Sequence, residues 1–349
     1  MSLAATNESA AYKVEEDNPY ASNTGYNTYS LRMNLDINLT KSTVLYFGAD
    51  GFISVNNRPG QVNTDYIWDA QANLTPLIFP LRFSNGLLPA AGTGGGMSPY
   101  VLINYTGKTA INHNSSLYTM AISQDLSNIT EGLKIRAQGA YNRSGDLTEY
   151  RYTYPAQYRA IGRNAKGELL TREQVSARAD ALYNSYESQW RKYHFESTLN
   201  YDRVFEDDHR VGGLVYFYLS DQQSSTQRND GENQHLSESQ AQIPKRYMGL
   251  SSRLTYGFRD TYMIDVNFGY TGSENFIPGK QFGFFPSVAL GWIPTNYSLI
   301  KDNLKWLDLV KIRASYGTVG NDRIGGGRFP YLNRVSQGYS RIWGSMASE

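Results

Sequence analysis

The sequence predicts an all-β chain: the strands of an antiparallel transmembrane β-barrel with long extracellular loops and short periplasmic turns. Three observations predict it. Long segments alternate apolar and polar residues with period two, the segments exceed the usual length of soluble strands, and the connections between them are short and long by turns.

The clearest segment is 26–39, where Leu31, Met33, Leu35, Ile37 and Leu39 alternate with Arg32, Asn34, Asp36 and Asn38. Leu133, Ile135 and Ala137 stand in the same way against Lys134, Arg136 and Gln138, and Tyr262, Ile264, Val266, Phe268 and Tyr270 against Asp265 and Asn267. Val310, Ile312, Ala314 and Tyr316 face away from Lys311, Arg313 and Ser315. One greasy face and one wet face define a strand between two media. About ten such strands are read, at 26–39, 43–55, 115–126, 132–143, 190–205, 210–223, 246–257, 261–272, 282–293 and 308–319. Most run ~10 to 14 residues against ~5 to 6 in soluble sheets, enough to cross an outer membrane at a tilt.

Thr40 to Ser42, Ser127 to Glu131, Glu206 to His209 and Phe258 to Asp260 read as tight turns, whereas 56–114, 144–189 and 224–245 are long and polar and 273–281 is shorter. This puts every short turn at one end of the strands. Phe205, Tyr256, Phe258, Tyr262, Trp292 and Trp306 lie near strand ends, where an apolar ring with a polar edge suits a membrane boundary. In QFGFFPSVALGW (281–292), Val288, Leu290 and Trp292 share one face and Ser287, Ala289 and Gly291 the other. Pro286 lacks an N–H and is expected at the outer beginning of the strand or at a bulge. A helix is expected over Glu168 to Ser188, with Thr171 as N-cap, and another over Tyr297 to Leu307.

Composition narrows the function classes. The 349 residues carry a net charge of +1, so no strong field of one sign recruits nucleic acid, and the absence of cysteine removes disulfide frameworks and thiolate metal sites. No apolar run is long enough for a spanning helix. Gly92 to Gly96 lacks the GK[ST] of a phosphate cradle, and Asn229 to Asn233 reads as a turn rather than a calcium loop. His113, His194, His209 and His235 are too scattered for a metal site, and Glu15-Glu16-Asp17 reads as a solvated cluster. No catalytic residue, metal or cofactor is expected, and the chain is not read as an enzyme. The substrate-binding candidates are Tyr66, Trp68, Tyr154, Tyr158 and Trp190, in or beside the long loops. Their rings can stack on sugars or pack on one another.

FGFFPSVALGW followed by LVKIRASYGTVGN resembles the paired strand signature of SusC/RagA-type TonB-linked outer-membrane transporters of Bacteroidota. YNTYSLRMNLDINLTKST, and MSPYVLINYTGKTAINHNSSLYTMAISQDL with GLKIRAQGAYN, resemble further strands and turns, so the likeness runs over roughly 18–335. The resemblance implies a barrel of about 22 strands filled by an N-terminal plug and set in outer-membrane lipid. It implies TonB-dependent uptake of glycans or peptides, with a SusD-like surface lipoprotein as partner and the TonB complex acting through the plug. No signal peptide, TonB box or plug is recognised, so 1–349 is expected to be part of a single barrel domain, an internal piece. Arg32, Asn34, Asp36, Lys134, Arg136, Lys311 and Arg313 would then face the lumen. Two other readings are carried: a plug-less porin or adhesion-type barrel, and a secreted carbohydrate-binding β-sandwich.

Overall fold

The structure, a computed structural model, describes residues 1–10, 14–15, 24–60, 64–74, 80–91, 97–225, 243–304, 306–322 and 329–332. Among the described residues thirteen strands form: β1 Ser2–Ser9, β2 Gly25–Asn38, β3 Thr43–Pro59, β4 Gly107–Asp125, β5 Leu133–Tyr152, β6 Gln157–Arg163, β7 Leu169–Val175, β8 Leu182–Phe205, β9 His209–Ser224, β10 Lys245–Phe258, β11 Tyr262–Ser273, β12 Phe282–Trp292 and β13 Ile312–Gly317. Eleven of them make one antiparallel sheet in sequence order, while β6 and β7 form a separate hairpin. All ten expected strands are present in order, and β1, β6 and β7 are additional to them.

The alternation read in the sequence sorts the faces as expected. Leu31 pairs with Gly51, Met33 with Ala49 and Leu35 with Phe47 on one side, and Arg32 pairs with Asp50 on the other. The same parity continues to the far edge, where Val288 stands opposite Tyr316 and Leu290 opposite Ala314. The sheet is also sheared. Thr43, at the inner end of β3, is in register with Gln124, and the row passes through Ile135, Leu199, Val215, Ser252 and Phe268 to Pro286. Pro286 lies well above Trp292, where β12 ends. A register stagger of this kind is what a tilted strand set needs to curl toward a barrel.

Turn geometry agrees with the division of ends. Glu206 and Asp207, and Arg259 and Asp260, all have positive φ, as both central residues must in a type I′ turn, whose twist matches its strands. The neighbouring turns are tied together by Arg259 Nε on Asp208 at 2.9 Å. The connections at the opposite end are longer than these tight turns, 274–281 being the shortest of them, and the tight-turn end also carries one long connection, 293–311.

Four expectations change. The segments 56–114 and 144–189 are not loops throughout, because β3 and β5 run out to Pro59 and Tyr152 and β4 and β8 begin at Gly107 and Leu182. Beyond a bilayer both faces of a strand are wet, so LYNSYESQW (182–190) has no greasy side to reveal it. The helix over 168–188 is absent: β6 and β7 pair across a turn in which Gly167 takes φ +81° and the Asn164 carboxamide oxygen accepts from the N–H groups of Lys166 and Glu168, each at 2.9 Å. Asn-initiated turn chemistry outweighs a marginal helical spacing. The second expected helix is shortened to a 3-10 turn at Pro294–Asn296 and a helix at Ser298–Asn303.

Pro286 provides the fourth. It sits inside β12, paired with Phe268 without a bulge. Its carbonyl accepts from Thr318 N at 3.0 Å, on the β13 side. N–H and C=O of one residue point the same way across an antiparallel strand. The missing donor therefore falls where pairing with β13 ends at Gly317, and the ladder to β11 is untouched.

The tightly packed apolar core is not under the sheet. It lies in the long connection between β3 and β4, where helices α1 (Thr64–Asn73) and α2 (Pro99–Asn104) bring Ile67, Leu102 and Ile103 together, with Ala70, Met97 and Val14 around them.

Candidate functional site

Two surfaces on the described residues could meet a ligand: the polar face of the sheet and a cap built from the outer connections. On the polar face, cross-strand partners neutralise one another. Arg32 is ion-paired with Asp50 and Arg253 with Asp265. The His113 ring nitrogen lies 2.7 Å from Asp146 Oδ1, directly opposite it in register. Arg136 donates to Ser123 at 3.2 Å and Gln138 at 2.9 Å while lying 5.9 Å from the Tyr46 ring centroid. Exposed pairs like these contribute only ~0.2 to 1 kcal/mol each, so they fix side-chain direction more than stability.

The cap is built from α1, α2 and the β6–β7 hairpin. Ser98 caps α2 by accepting from Val101 N at 3.3 Å, and Pro99 starts the helix without wasting a donor. The hairpin is stitched to the same connection: Tyr158 N donates to Leu88 O at 2.8 Å and Ala90 N to Tyr158 O at 2.9 Å. A charged latch closes over α2. The Glu15 carboxylate accepts from the hydroxyls of Tyr100 and Tyr105, the latter at 2.5 Å, and lies 3.4 Å from Arg82 Nη2. Its backbone N–H donates to Asn104 Oδ1 at 2.8 Å. The Tyr100 hydrogen bond first, then that of Tyr105, hold the Glu15 carboxyl below the usual range. Burial first, then the bond to Glu15, push the Tyr105 hydroxyl up. Glu15 is thus a structural anion and not the solvated charge expected of it; Glu16 and Asp17 lie outside the described residues.

The aromatic candidates are only partly gathered. Tyr66 and Trp68 flank the buried Ile67 on α1 and stay 48% and 49% exposed. The Tyr154 ring packs on Tyr152 at 5.5 Å, with the Arg178 guanidinium 5.8 Å from the Tyr152 centroid. Burial first, then Tyr154, then Tyr66 push the Tyr152 hydroxyl up. Tyr66, Tyr152 and Tyr154 therefore share one neighbourhood. Tyr158 is half-buried in the hairpin seam, and Trp190 stands apart on β8 opposite Ser144. Tyr152 and Arg178 are not among the sequence-read candidates, because the first falls in a stretch that reads as a featureless loop and the second in an expected helix. No cluster of His, Cys, Asp and Glu fit for a metal occurs among the described residues. Gly92–Gly96, Asn229–Asn233 and His235 lie outside them.

No protein-family profile matches the chain. The TonB-dependent receptor P39 of Formosa agariphila is 29% identical over 145 residues, 37% of this chain and 14% of that protein. The TonB-dependent receptor SusC of Bacteroides thetaiotaomicron is 24% identical over 197 residues, 55% of this chain and 16% of SusC. Among solved structures, the RagAB peptide transporter superposes with a TM-score of 0.55 at 15% identity, over 88% of this chain and 34% of that one. The chain is similar to part of a SusC/RagA-type TonB-dependent receptor. The RagAB peptide importer in its closed-closed state gives a TM-score of 0.54 over 86% of this chain and 33% of that one. At 15% identity this likeness is one of fold, and it makes the sheet a stretch of barrel wall. In a transmembrane barrel wall the apolar face looks outward to lipid and the polar face inward. The chain spans 14% and 16% of the two curated relatives and about a third of the solved chains.

Proposed function

We propose that the chain forms wall and outer cap of a barrel that carries out TonB-dependent nutrient uptake across the outer membrane, with oligosaccharides or peptides as the transported class. The supporting observation is the parity-sorted wall. On β12 the outward residues run from Phe282 to Trp292 and end on aromatic rings at both limits. Ten steps of ~3.4 Å at a tilt of ~40° give about 26 Å, the height of an outer-membrane apolar band. The inner limit is marked by more rings: His209 on Phe258 at 4.9 Å and Tyr262 against Tyr297 at 6.4 Å.

Residues 1–349 belong in this reading to one barrel domain, with the TonB complex acting through a plug and a SusD-like lipoprotein over the cap. Tyr66, Trp68, Tyr154 and Tyr158 lie where such a lid and its cargo would meet the wall; Trp190 shares the polar face of Lys192 and His194 instead. The relatives are named receptors and importers rather than enzymes, and no covalent step is assigned.

The test is uptake of labelled oligopeptides and oligosaccharides by cells with and without the full-length receptor, each with TonB present or deleted. Loss of one class on deleting either gene is expected. Receptor-dependent uptake that persists without TonB would select the plug-less porin, and uptake of both classes unchanged by deleting the receptor would overturn the reading.

A further inference from the structure

Where the outward face passes from apolar to charged residues, its ions are treated in two ways. On β10, Arg246 is neutralised by Asp221 at 2.7 Å, with Glu274 at 4.0 Å. On β5 and β8, Arg143 and Arg191 stand directly opposite each other in register. Like charges so placed repel. Neither makes a carboxylate ion pair among the described residues: Arg143 donates to Gln189 Oε1 at 2.8 Å and Arg191 to Gln223 Oε1 at 2.8 Å. The carboxylate next out on this face, Glu187, accepts from the Gln189 amide at 2.8 Å.

Beneath this pair the same two strands change character within one step. Tyr141 and Tyr193 face each other with ring centroids 5.0 Å apart, and the Arg191 guanidinium lies 5.7 Å from the Tyr193 ring. One step further in, Gly139 is paired with Phe195. A Cβ at Gly139 would meet nothing within 4 Å, so the wall is recessed there. The recess belongs to a groove of about 880 Å³ whose walls include Met120, Phe195, Leu219 and Met248 and which the mutually paired Asp221, Arg246 and Glu274 also line, and a pocket of about 340 Å³ lies over Arg143, Gln189, Arg191 and Gln223. A cationic, hydrogen-bonding head site thus sits over a tyrosine collar and an apolar trough.

We propose that this is a binding site for a phosphorylated, acylated glycolipid of the outer leaflet, of the lipid A type. The two guanidiniums hold its phosphate, Gln189 and Gln223 steer them, and its acyl chains lie in the trough over Gly139. Charge complementarity selects the occupant: two unneutralised cations facing each other call for a polyvalent anion, and the trough below calls for hydrocarbon on the same molecule. The site rests on the outer-membrane reading but is independent of what is transported.

The test uses the full-length receptor, extracted in mild detergent and exchanged against an equimolar mixture of lipid A, its dephosphorylated form and phosphatidylglycerol, with bound lipid read by mass spectrometry. Wild type is expected to retain phosphorylated lipid A preferentially, and the Arg143→Gln/Arg191→Gln variant to retain about tenfold less. Gly139→Phe is expected to reduce retention of both glycolipid forms by filling the trough. Equal retention of phosphorylated and dephosphorylated lipid by wild type overturns the proposal, and needs no variant to fold. Equal competition by phosphatidylglycerol also overturns it, as does undiminished retention by a double variant that still runs as a heat-modifiable barrel. TonB-dependent uptake measured on the same strains separates failure of this site from failure of the transport reading.

Discussion

Glu15 has the most specific environment of any carboxylate in the cap. It binds two tyrosine hydroxyls and faces a guanidinium, from a position far from all of them in sequence. Its folded pKa is depressed, so its stabilisation is present above the ordinary glutamate value and is lost as pH falls through the lower folded value. Glu15→Gln is expected to raise amide exchange over 97–106 at neutral pH, with a local loss of about 1 kcal/mol, modest because the pair is half-exposed. In the wild type the same exchange should rise only on acidification below the glutamate range, and a wild-type profile flat down to that range and beyond would remove the latch. Nothing in the sequence links position 15 to 100 and 105. Local pattern reading sees charge clusters, not contacts made across a connection.

Turns and strands were far more legible than the cap. Tight turns such as 206–208 lie between two alternating runs, and the ends of those runs give them away. The hairpin β6–β7 was misread because a few apolar residues at loose helical spacing outvoted Asn164 and Gly167. Gly132 shows how strict these elements can be: its φ is +85°, and a Cβ would lie 1.9 Å from the Asp202 backbone oxygen on β8. Gly132→Ala in the full-length receptor should therefore cost more than ~2 kcal/mol. The fraction migrating as a folded, heat-modifiable band should fall, and a wild-type urea midpoint for the variant would mean the turn relaxes freely.

The whole wall was readable because lipid and water sort side chains residue by residue, whereas the cap core formed by Ile67, Leu102 and Ile103 depends on distant segments meeting. β1 and β13 stand at the two ends of the sheet order. A sheet edge in hydrocarbon leaves a row of backbone N–H and C=O groups unpaired, each at several kcal/mol. Residues 1–349 exported alone are therefore expected to give no heat-modifiable band and no protease-resistant core in outer-membrane fractions, while the same residues within the full-length receptor give both. A resistant core from the isolated chain would point to a smaller, self-closing barrel.

Among the described residues no register shift interrupts any pairing of the main sheet, and the shifts present lie in the β6–β7 hairpin. The wall therefore keeps count in twos. Deleting one residue from the middle of β5 would turn Arg136 toward lipid and Ile135 toward water for the rest of the strand, while deleting two would only shorten it. Length variation inside the wall is confined to even steps, and odd insertions and deletions have to be taken up by the connections, where nothing records the difference between inside and outside.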